Sequence, residues 1–567
     1  MSSFLLSSWS ALSTSTVVAV GLVTVLIASL WFLPREELDP KEPPLAKSRI
    51  PVFGHVMNLL WYQNTYFRIL HKTQPSPITT LLILTQRIYI ISSPTLAQLA
   101  FRLSKTIDFE TIKQNASVKA LGFDQHGIDI VNAPLLPDPH VPGRMSNYMT
   151  DLHTEMYGAL AQGKQLLDTN RKVLGGLVEI LNEIGGDGWK EMMLFGWLRD
   201  SYTTASAAAL YGEENPVKWD KRFIQMGWDF EKDLGLLVLD TYPSITARKG
   251  HLARQAITAS FETYYARGLL SNASAFVQGR ARCARKWGLT TTEICKADIS
   301  ILFAAVTNTV PNVFYMLCWI FERPELVADL RDEIEGIVKE GKGNGEPEGS
   351  EKGREMFLNI EGLRENCPLL TACFHESLRL VKTGFVIRTV LEDTLLADRY
   401  LLKKGAIVQI PTGVLQADVD TWGEDAGVFN PRRWIDGDED SIKGKSRSQS
   451  GTNGITDLAQ NVFKGKEKRK LQNSAYIPFG GGKNLCPGRH LAFTEITAFV
   501  AVLVFGFDLE GCSGKGGEVI KAPEMATNKL GDGSTSPKGD VRVRMRRRRG
   551  WEGVRWGFVV GEEEGGE

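Results

Sequence analysis

The stretch AYIPFGGGKNLCPGRHLAFTEITAFVAVLVF, residues 475–505, decides the fold of this chain. Three consecutive glycines are followed by a single cysteine, Cys486, and then by a long apolar segment with helical periodicity. Glycines allow a tight turn and the close approach of a flat ligand, while N–H groups at a helix start favour a thiolate. The stretch therefore predicts a sulfur that projects from a loop and can bind iron. The alternative is a structural cysteine beside a flexible loop.

Two more motifs lie upstream of this cysteine. The helix-like segment LLTACFHESLRL places Glu376 and Arg379 three residues apart, and therefore on one face of a helix. The segment FNPRRW, residues 429–434, adds a third charged side chain, Arg433. An i,i+3 ion pair by itself is usually a surface feature of little consequence, so the interpretation depends on the motifs taken together.

Taken in their order along the chain, the three motifs resemble those of the cytochrome P450 family. The resemblance covers roughly residues 15–545. Phe479, Gly482, Cys486 and Gly488 match the family's heme-binding signature, with Asn484 where arginine is usual. The resemblance implies the P450 fold, a heme cofactor (iron protoporphyrin IX), and Cys486 as the axial ligand of the iron. It also implies that Glu376, Arg379 and Arg433 form a buried structural triad that locks the segment leading to the heme loop.

Further positions at the cofactor follow from the same resemblance. The residues that we expect to bind heme are Cys486, Arg388, Phe479, Gly480 and Gly488. Arg388 is expected to contact a heme propionate through a charge-assisted bond. The family's usual Trp-x-x-x-Arg contact to a propionate is not recognisable, so the groups that replace it stay open.

The apolar segment ADISILFAAVTNTVPNVFYMLCWIF, residues 297–321, matches the position of the family's oxygen-activating helix. Thr307 stands where that helix usually carries an acid, and Asn308 stands where it usually carries threonine. Pro311 cannot donate to the carbonyl of Thr307, so we predict a kink with a polar notch. Asn308, Thr307 and Thr309 are the candidate catalytic residues. The alternative is an ordinary core helix with a tolerated proline.

The Asn-Thr-x-Pro pattern, the Ile387-Arg388-Thr389 triplet and the missing arginine before Cys486 resemble the sterol 7α-hydroxylase and prostacyclin synthase branch. The leading hypothesis is a monooxygenase that takes electrons from an NADPH-dependent flavoprotein reductase, splits O2 and inserts one of its oxygen atoms into a lipophilic substrate, such as a sterol, terpenoid or other secondary metabolite. The alternative is a heme-thiolate isomerase or dehydratase that acts on a lipid peroxide without reductase. A heme-binding sensor without enzymatic activity is a third class, which the long apolar helix does not favour.

The first residues predict attachment to a lipid bilayer. The run VVAVGLVTVLIASLWFL, residues 17–33, with the uncharged residues before it, is long enough to cross a membrane as a helix. The absence of basic residues before it and of an A-x-A-like site favours an anchor at 10–33 over a cleaved signal peptide. Basic residues first occur after the run, so the positive-inside rule places the large C-terminal part in the cytosol. With the family resemblance, we expect a single-pass protein of the endoplasmic reticulum membrane with a cytosolic catalytic domain.

The rest of the chain reads as one large unit. Prolines between residues 34 and 54 predict a stiff, extended hinge, and residues 55–545 predict a mainly α domain with small β-sheets, followed by a tail at 546–567. Residues 340–353 and 436–472 have the composition of solvated insertions. The 66 basic and 66 acidic residues leave no net charge, which does not favour nucleic-acid binding. The seven cysteines are scattered without a CxxC pair, which argues against a zinc site.

Overall fold

The computed structural model describes residues 38–48, 54–83, 85–138, 141–185, 188–341, 354–435, 467–512, 517–527 and 533–559. Helices dominate these ranges and the strands form only small sheets, so the predicted fold class is confirmed. The predicted membrane anchor at 10–33 lies outside the described residues.

More than half of the described residues lie in α-helices, which pack around one large apolar core. In chain order they are α1 Gly54–Tyr62, α2 Thr65–Thr73, α3 Pro94–Arg102, α4 Glu110–Leu121, α5 Gln125–Val131, α6 Tyr148–Leu160, α7 Lys164–Asn182, α8 Leu194–Tyr211, α9 Pro216–Trp219, α10 Arg222–Leu239, α11 Pro243–Thr246, α12 Arg248–Ala266, α13 Ala275–Lys286, α14 Thr291–Thr307, α15 Thr309–Phe321, α16 Pro324–Glu335, α17 Gly362–Glu365, α18 Pro368–Val381, α19 Thr412–Leu415, α20 Val419–Trp422, α21 Glu467–Ala475 and α22 Arg489–Gly506.

The strands within the described ranges form five small sheets. They are β1 Ile78–Ile83, β2 Gln86–Ile91, β3 Ile107–Asp108, β4 Leu136–Pro137, β5 Met145–Ser146, β6 Lys190–Met193, β7 Val338–Glu340, β8 Glu355–Asn359, β9 Phe385–Val390, β10 Thr394–Leu396, β11 Tyr400–Leu402, β12 Ile407–Pro411, β13 Phe507–Gly511, β14 Arg542–Arg547 and β15 Arg555–Val559. The largest sheet has the order β1-β2-β12-β9-β3, and the two three-stranded sheets have the orders β13-β14-β6 and β15-β8-β7. Pairing is antiparallel except between β12 and β2 and between β15 and β8.

Apolar helices form the centre of the molecule, and their sequences explain why. Helix α14 begins with a capping box, in which Thr290 Oγ1 accepts from the Glu293 N–H and a Glu293 carboxylate oxygen accepts from the Thr290 N–H. In the described part of the chain, two helical stretches are long and apolar enough to cross a bilayer, Thr291–Phe321 and Arg489–Gly506. Most of each is buried within the protein, as expected for core helices.

Part of the proline-rich hinge packs directly on the largest sheet. The Ala46 N–H donates to the Thr80 carbonyl, and the Thr80 N–H donates to the Pro44 carbonyl, each at 2.8 Å. The buried Glu42 carboxylate accepts from Arg87 at 3.0 Å and from the Tyr89 hydroxyl at 2.7 Å. Residues 38–48 are therefore held against the largest sheet.

Two predicted boundaries are wrong. The tail predicted to begin at 546 contains β15, which pairs with β8 and buries Trp556, because the partner strand lies about two hundred residues earlier in the chain. The insertion predicted to reach residue 472 ends earlier, since α21 begins at Glu467 and the buried Gln472 amide donates to the Thr421 carbonyl at 3.2 Å. The basic run 542–549 forms β14 over most of its length.

Candidate active site

Cys486 lies in a loop that closes on itself. The chain leaves α21, passes the glycines and a 3-10 turn at Gly482–Asn484, and enters α22 at Arg489. The Cys486 N–H donates to the Phe479 carbonyl at 3.0 Å, and Arg489 Nη1 donates to the Cys486 carbonyl at 2.8 Å. These bonds fix the loop at both ends, and Cys486 and Phe479 are half-buried on it.

The glycines of this loop are required by its geometry. Gly480 and Gly482 have φ of +79° and +69°, a region that other residues rarely adopt. A Cβ on Gly481 would lie 2.4 Å from the Phe101 ring at the end of α3. The loop is therefore pressed against α3, while Gly480 faces a more open space, because its Cβ would approach nothing closer than the Asn484 carbonyl at 3.9 Å.

Most other cysteines are unsuited to bind a metal. Cys283, Cys295, Cys318, Cys367 and Cys373 are buried in the core. Burial raises the pKa of each of these thiols, to about 12 for Cys283 and Cys367, so they stay protonated at neutral pH. Of the two half-buried cysteines, only Cys486 lies in the glycine-rich turn.

Arg388 on β9 lies beside the glycine-rich loop. Its Nη2 donates to the Gly481 carbonyl at 3.0 Å, and its guanidinium carbon lies 4.9 Å from the centroid of the Phe109 ring and 5.4 Å from that of Phe101. The aromatic rings and the carbonyl hold this buried cation at the edge of the loop. Arg388 therefore lies beside the loop that carries Phe479, Gly480, Cys486 and Gly488.

The Glu376 carboxylate lies in a charged cluster at the centre of the molecule. It pairs with Arg379 at 2.7 Å and with Arg433 at 3.0 Å, and the side chains of Glu376 and Arg379 are fully buried. It also accepts from the Trp434 indole at 2.9 Å and from the Asn430 N–H at 3.1 Å. The three predicted triad residues are therefore in contact, and every carboxylate oxygen has more than one donor.

The triad is connected to the cysteine loop through aromatic contacts. Trp434, which donates to Glu376, packs edge-on against Tyr476 at a ring distance of 4.8 Å. The Tyr476 hydroxyl and His375 Nδ1 are 2.9 Å apart, and burial lowers the pKa of His375 to about 4. Tyr476 lies three residues before Phe479, so the triad and the beginning of the loop share one packed unit.

The predicted kink in the segment 297–321, which we call the oxygen helix after the family segment it resembles, is confirmed as an interruption. Helix α14 ends at Thr307 and α15 begins at Thr309, with Asn308 at φ −94° and ψ −33° between them. The Thr309 hydroxyl lies 2.9 Å from the Ala305 carbonyl, and Asn312 Nδ2 donates to the Asn308 carbonyl at 2.6 Å. Side chains thus bond the Ala305 and Asn308 carbonyls on either side of the interruption, which lies where the N–H of Pro311 is missing.

The orientation of the Asn308 amide follows from its neighbours. The Ser534 N–H donates to Asn308 Oδ1 at 2.9 Å, and Lys382 Nζ lies 3.3 Å from the same oxygen. Since both neighbours are donors, the oxygen of the amide must face them, and its NH2 group points elsewhere. Within the described residues no acceptor bonds this NH2 group, so Asn308 presents donors only.

One face of α14 is uncovered although the helix lies in the core. Ala304 is exposed, Ile301, Ala305, Thr307 and Asn308 are half-buried, and Val306 is buried. Positions three, four and seven apart share a face of a helix. The half-buried Cys486 thiol, the open side of Gly480 and this apolar face are the kinds of surface that a flat heme group and a lipophilic molecule would cover.

Sequence reasoning missed two groups near this region. The buried Glu495 of α22 lies 2.9 Å from the Thr309 hydroxyl, and the Tyr157 hydroxyl of α6 donates to the Leu485 carbonyl just before the cysteine. Glu495 had a sequence signal, because it is the only charged residue in the otherwise apolar segment 491–505. Tyr157 had none, since its partner lies more than three hundred residues away.

Comparison with known proteins agrees with this geometry. A family model for cytochrome P450 matches residues 255–531. The chain is 30% identical over 535 residues to a cytochrome P450 monooxygenase of Gibberella zeae, covering 93% of this chain and 92% of the relative. It is 29% identical over 241 residues to 25-hydroxycholesterol 7-alpha-hydroxylase of Rattus norvegicus, covering 42% of this chain and 51% of the relative. Prostacyclin synthase of Rattus norvegicus is 24% identical over 384 residues, covering 64% of this chain and 69% of the relative.

A solved structure shares the architecture. The retinoic acid bound cyanobacterial CYP120A1 superposes with a TM-score of 0.60 at 19% sequence identity, covering 89% of this chain and 99% of the other. At that identity the likeness supports the fold, while the branch named from the sequence is supported by the two Rattus norvegicus relatives.

Proposed function

Because this chain belongs to the cytochrome P450 family, it is a heme-binding oxidoreductase, and we propose that it inserts one atom of dioxygen into a lipophilic substrate with electrons from an NADPH-dependent flavoprotein reductase. A sterol, a terpenoid or another secondary metabolite is the substrate class that fits. The observation that carries this proposal is the uncovered apolar face of the broken helix, around Ala304 and Asn308, in a core that also holds the half-buried Cys486.

The proposal assigns a role to each of the predicted heme-binding residues. Heme, when bound, supplies the activation of oxygen, and the protein holds, shields and tunes it. Cys486 would ligate the iron, while Phe479, Gly480 and Gly488 shape the turn that lets a flat group approach the backbone. Arg388, already fixed at the edge of the loop, would hold a heme propionate.

The broken helix would orient the reactants. The NH2 group of Asn308 can donate to an oxygen atom of the substrate or to an ordered water, because its amide oxygen is occupied by the Ser534 N–H and Lys382. Thr307 is the last residue of α14, directly before Asn308, and is half-buried, so its hydroxyl can hold a water next to the Asn308 amide. Thr309 is buried and bonds within the protein.

A second candidate function is an isomerase or dehydratase that rearranges a lipid peroxide without reductase. The identity of Thr307 and Asn308 favours it, because such a reaction needs no acid on the oxygen helix, and an amide that presents only donors can orient a peroxide oxygen. Both functions use the same heme-thiolate site and differ in their co-substrates.

The experiment that separates the two functions measures product with and without reductase. A binding screen by absorption difference spectra first identifies which of sterols, terpenoids and fatty-acid peroxides perturbs the heme spectrum. Product is then assayed with that compound in four mixtures, with or without reductase and with or without oxygen. Strict dependence on both supports the monooxygenase, whereas full turnover in the absence of both refutes it and supports the isomerase.

Replacing Asn308 with Leu is expected to uncouple the proposed monooxygenase. The leucine cannot donate a hydrogen bond or hold water, so reductant should still be consumed while hydrogen peroxide is released in place of product. The measurement is hydrogen peroxide and product per reductant consumed. In an isomerase, the same variant should lose turnover of the peroxide because the substrate is no longer oriented.

Asn308→Asp is the matched variant, since it keeps an oxygen for the Ser534 N–H and for Lys382 but lacks the NH2 donors. We expect it to uncouple as Leu does. Native coupling in Asn308→Asp would mean that Asn308 only anchors the loop at Ser534, and would contradict a role of its donors.

We further propose that the protein is anchored in the endoplasmic reticulum membrane by residues 10–33 with its catalytic domain in the cytosol. Removing residues 1–33 is expected to shift the protein largely out of the membrane fraction while its heme spectrum stays intact, because the described domain is packed from residue 38 onward. Fractionation with absorption spectroscopy tests this. Loss of heme on truncation would show that the segment belongs to the core.

A further inference from the structure

Glu495 is a buried carboxyl next to the break in the oxygen helix. It lies on α22, is 4% exposed, and is surrounded by apolar residues of the same helix. Its Oε1 lies 2.9 Å from Thr309 Oγ1, and among the described residues Thr309 is the side chain that bonds its carboxyl. Because a buried carboxylate without a cation is unfavourable, it must be asked whether the Glu495 carboxyl is protonated.

The bonds of Thr309 determine that state. Thr309 Oγ1 lies 2.9 Å from Glu495 Oε1 and also 2.9 Å from the Ala305 carbonyl. A hydroxyl has one hydrogen, and a carbonyl can only accept. If the hydrogen of Thr309 goes to Ala305, the hydrogen between Thr309 and Glu495 must come from the carboxyl. Both bonds are made together only when Glu495 is protonated.

The surroundings of Glu495 agree with a protonated carboxyl. Burial raises its pKa to about 8, and the bond to Thr309 lowers it only in part. From α8, the Tyr202 hydroxyl donates at 3.3 Å to the backbone oxygen of Glu495 and not to its carboxyl. From α16, Arg331 bonds the Val504 carbonyl at 2.8 Å, and from α17, Arg364 stacks on Phe493.

Further titratable groups on α18 and α22 have other partners or are neutral. His375 of α18 bonds Tyr476, and Glu376 of the same helix is in the triad. On α22 itself, burial lowers the pKa of His490 to about 4, so its ring is neutral at neutral pH. The charged form of Glu495 therefore has no cation to stabilise it in the described part of the protein.

We propose that Glu495 is a positioning residue of the oxygen helix: its protonated carboxyl donates to Thr309, which directs the Thr309 hydrogen to the Ala305 carbonyl and fixes the turn that carries Asn308. This inference rests on the proposed function only in that the turn serves the oxygen reaction. Ala305 lies on the uncovered face of α14 and Asn308 directly follows that helix, so the proton of a buried acid sets the backbone geometry of this turn.

Loss of that proton has a defined consequence. When Glu495 ionises, its carboxylate can only accept, so Thr309 must turn its hydrogen toward Glu495 and release the Ala305 carbonyl. In the unfolded chain the carboxyl ionises near its ordinary pKa of 4.5, and in the folded protein at about 8. The folded state binds the extra proton between these values, so this group makes the native protein progressively less stable as pH rises through that window.

The first test uses thermal unfolding of the heme-loaded protein between about pH 5 and about pH 9. Glu495→Gln keeps a donor for Thr309 and cannot ionise. Its unfolding midpoint should rise relative to the native protein as pH increases, and the difference should level off above the pKa of Glu495. Thr497→Val, which removes a buried hydroxyl bonded to Phe493 on the same helix, is the control and should follow the native pH profile. A pH-independent difference for Glu495→Gln would overturn the proposal.

The second test measures coupling. Glu495→Leu and Thr309→Val should each release severalfold more hydrogen peroxide per reductant than the native protein, and Glu495→Gln should restore most of the coupling. Native coupling in the Leu variant would overturn the positioning role. If the native protein itself gives no product with reductase and oxygen, the proposed function fails, while the unfolding profile still decides the state of Glu495.

Discussion

Replacing Cys486 with Ala is expected to abolish the thiolate signature in the spectrum of the reduced carbon monoxide complex, and product formation with it. Five other cysteines are buried thiols whose pKa is raised by burial, so none of them can supply a thiolate in its place. The loop should nevertheless keep its shape, because the bonds that close it are made by the backbone of Cys486 and by Arg489. The variant should therefore be folded and inactive.

Cys512→Ala is the control for this experiment, since Cys512 is the other half-buried cysteine and follows β13, outside the glycine-rich loop. Its spectrum and turnover should match those of the native protein. An unchanged carbon monoxide spectrum in Cys486→Ala would refute the assignment of the ligand. A changed spectrum in Cys512→Ala would show that the site involves a second thiol.

Replacing Glu376, Arg379 or Arg433 with Ala is expected to reduce the yield of folded, heme-loaded protein. Each change leaves a buried charge without its partner, and breaking such a pair costs about 3–5 kcal/mol of folding free energy. The Glu376 variant should be the most severe, because two guanidinium groups and the Trp434 indole lose their acceptor. Heme content per milligram of soluble protein and the midpoint of chemical unfolding measure the effect.

Arg432 offers a matched control in the same turn. Its guanidinium pairs with Asp329 at 2.6 Å, but its side chain is 58% exposed, so Arg432→Ala should change stability by less than about 1 kcal/mol. Normal heme content in all three triad variants would contradict the structural role of the triad. An equal loss in Arg432→Ala would mean that the whole turn, and not the buried pairs, sets stability.

The active-site groups that were predicted from the sequence share one property. Phe479, Gly480, Cys486 and Gly488 lie within ten residues, so their relative positions depend on the turn that the glycines permit. Likewise, Glu376 and Arg379 share one face of α18 because they are three residues apart. The kink at Asn308 could be predicted because the missing N–H of Pro311 is a local property. What each of these residues does in the reaction stays a prediction that the variants above test.

The contacts that the sequence did not predict join distant segments. Asn308 Oδ1 meets the Ser534 N–H across 226 positions of the chain, and Thr309 meets Glu495 across 186. Neither pair has a sequence spacing or a local composition that would predict the contact. For the same reason the domain end was placed too early, since β15 is a strand only because β8 lies beside it.

The sequence by itself therefore determined the family, the cysteine loop and the interruption of the oxygen helix, because all three arise from short-range backbone geometry and from motifs in a fixed order. Only the tertiary structure decided which way the Asn308 amide points and that a buried acid lies behind Thr309. The physical reason is that donor direction and burial are set by neighbours that folding brings together, and a hydrogen bond or a desolvated carboxyl exists only once those neighbours are in place.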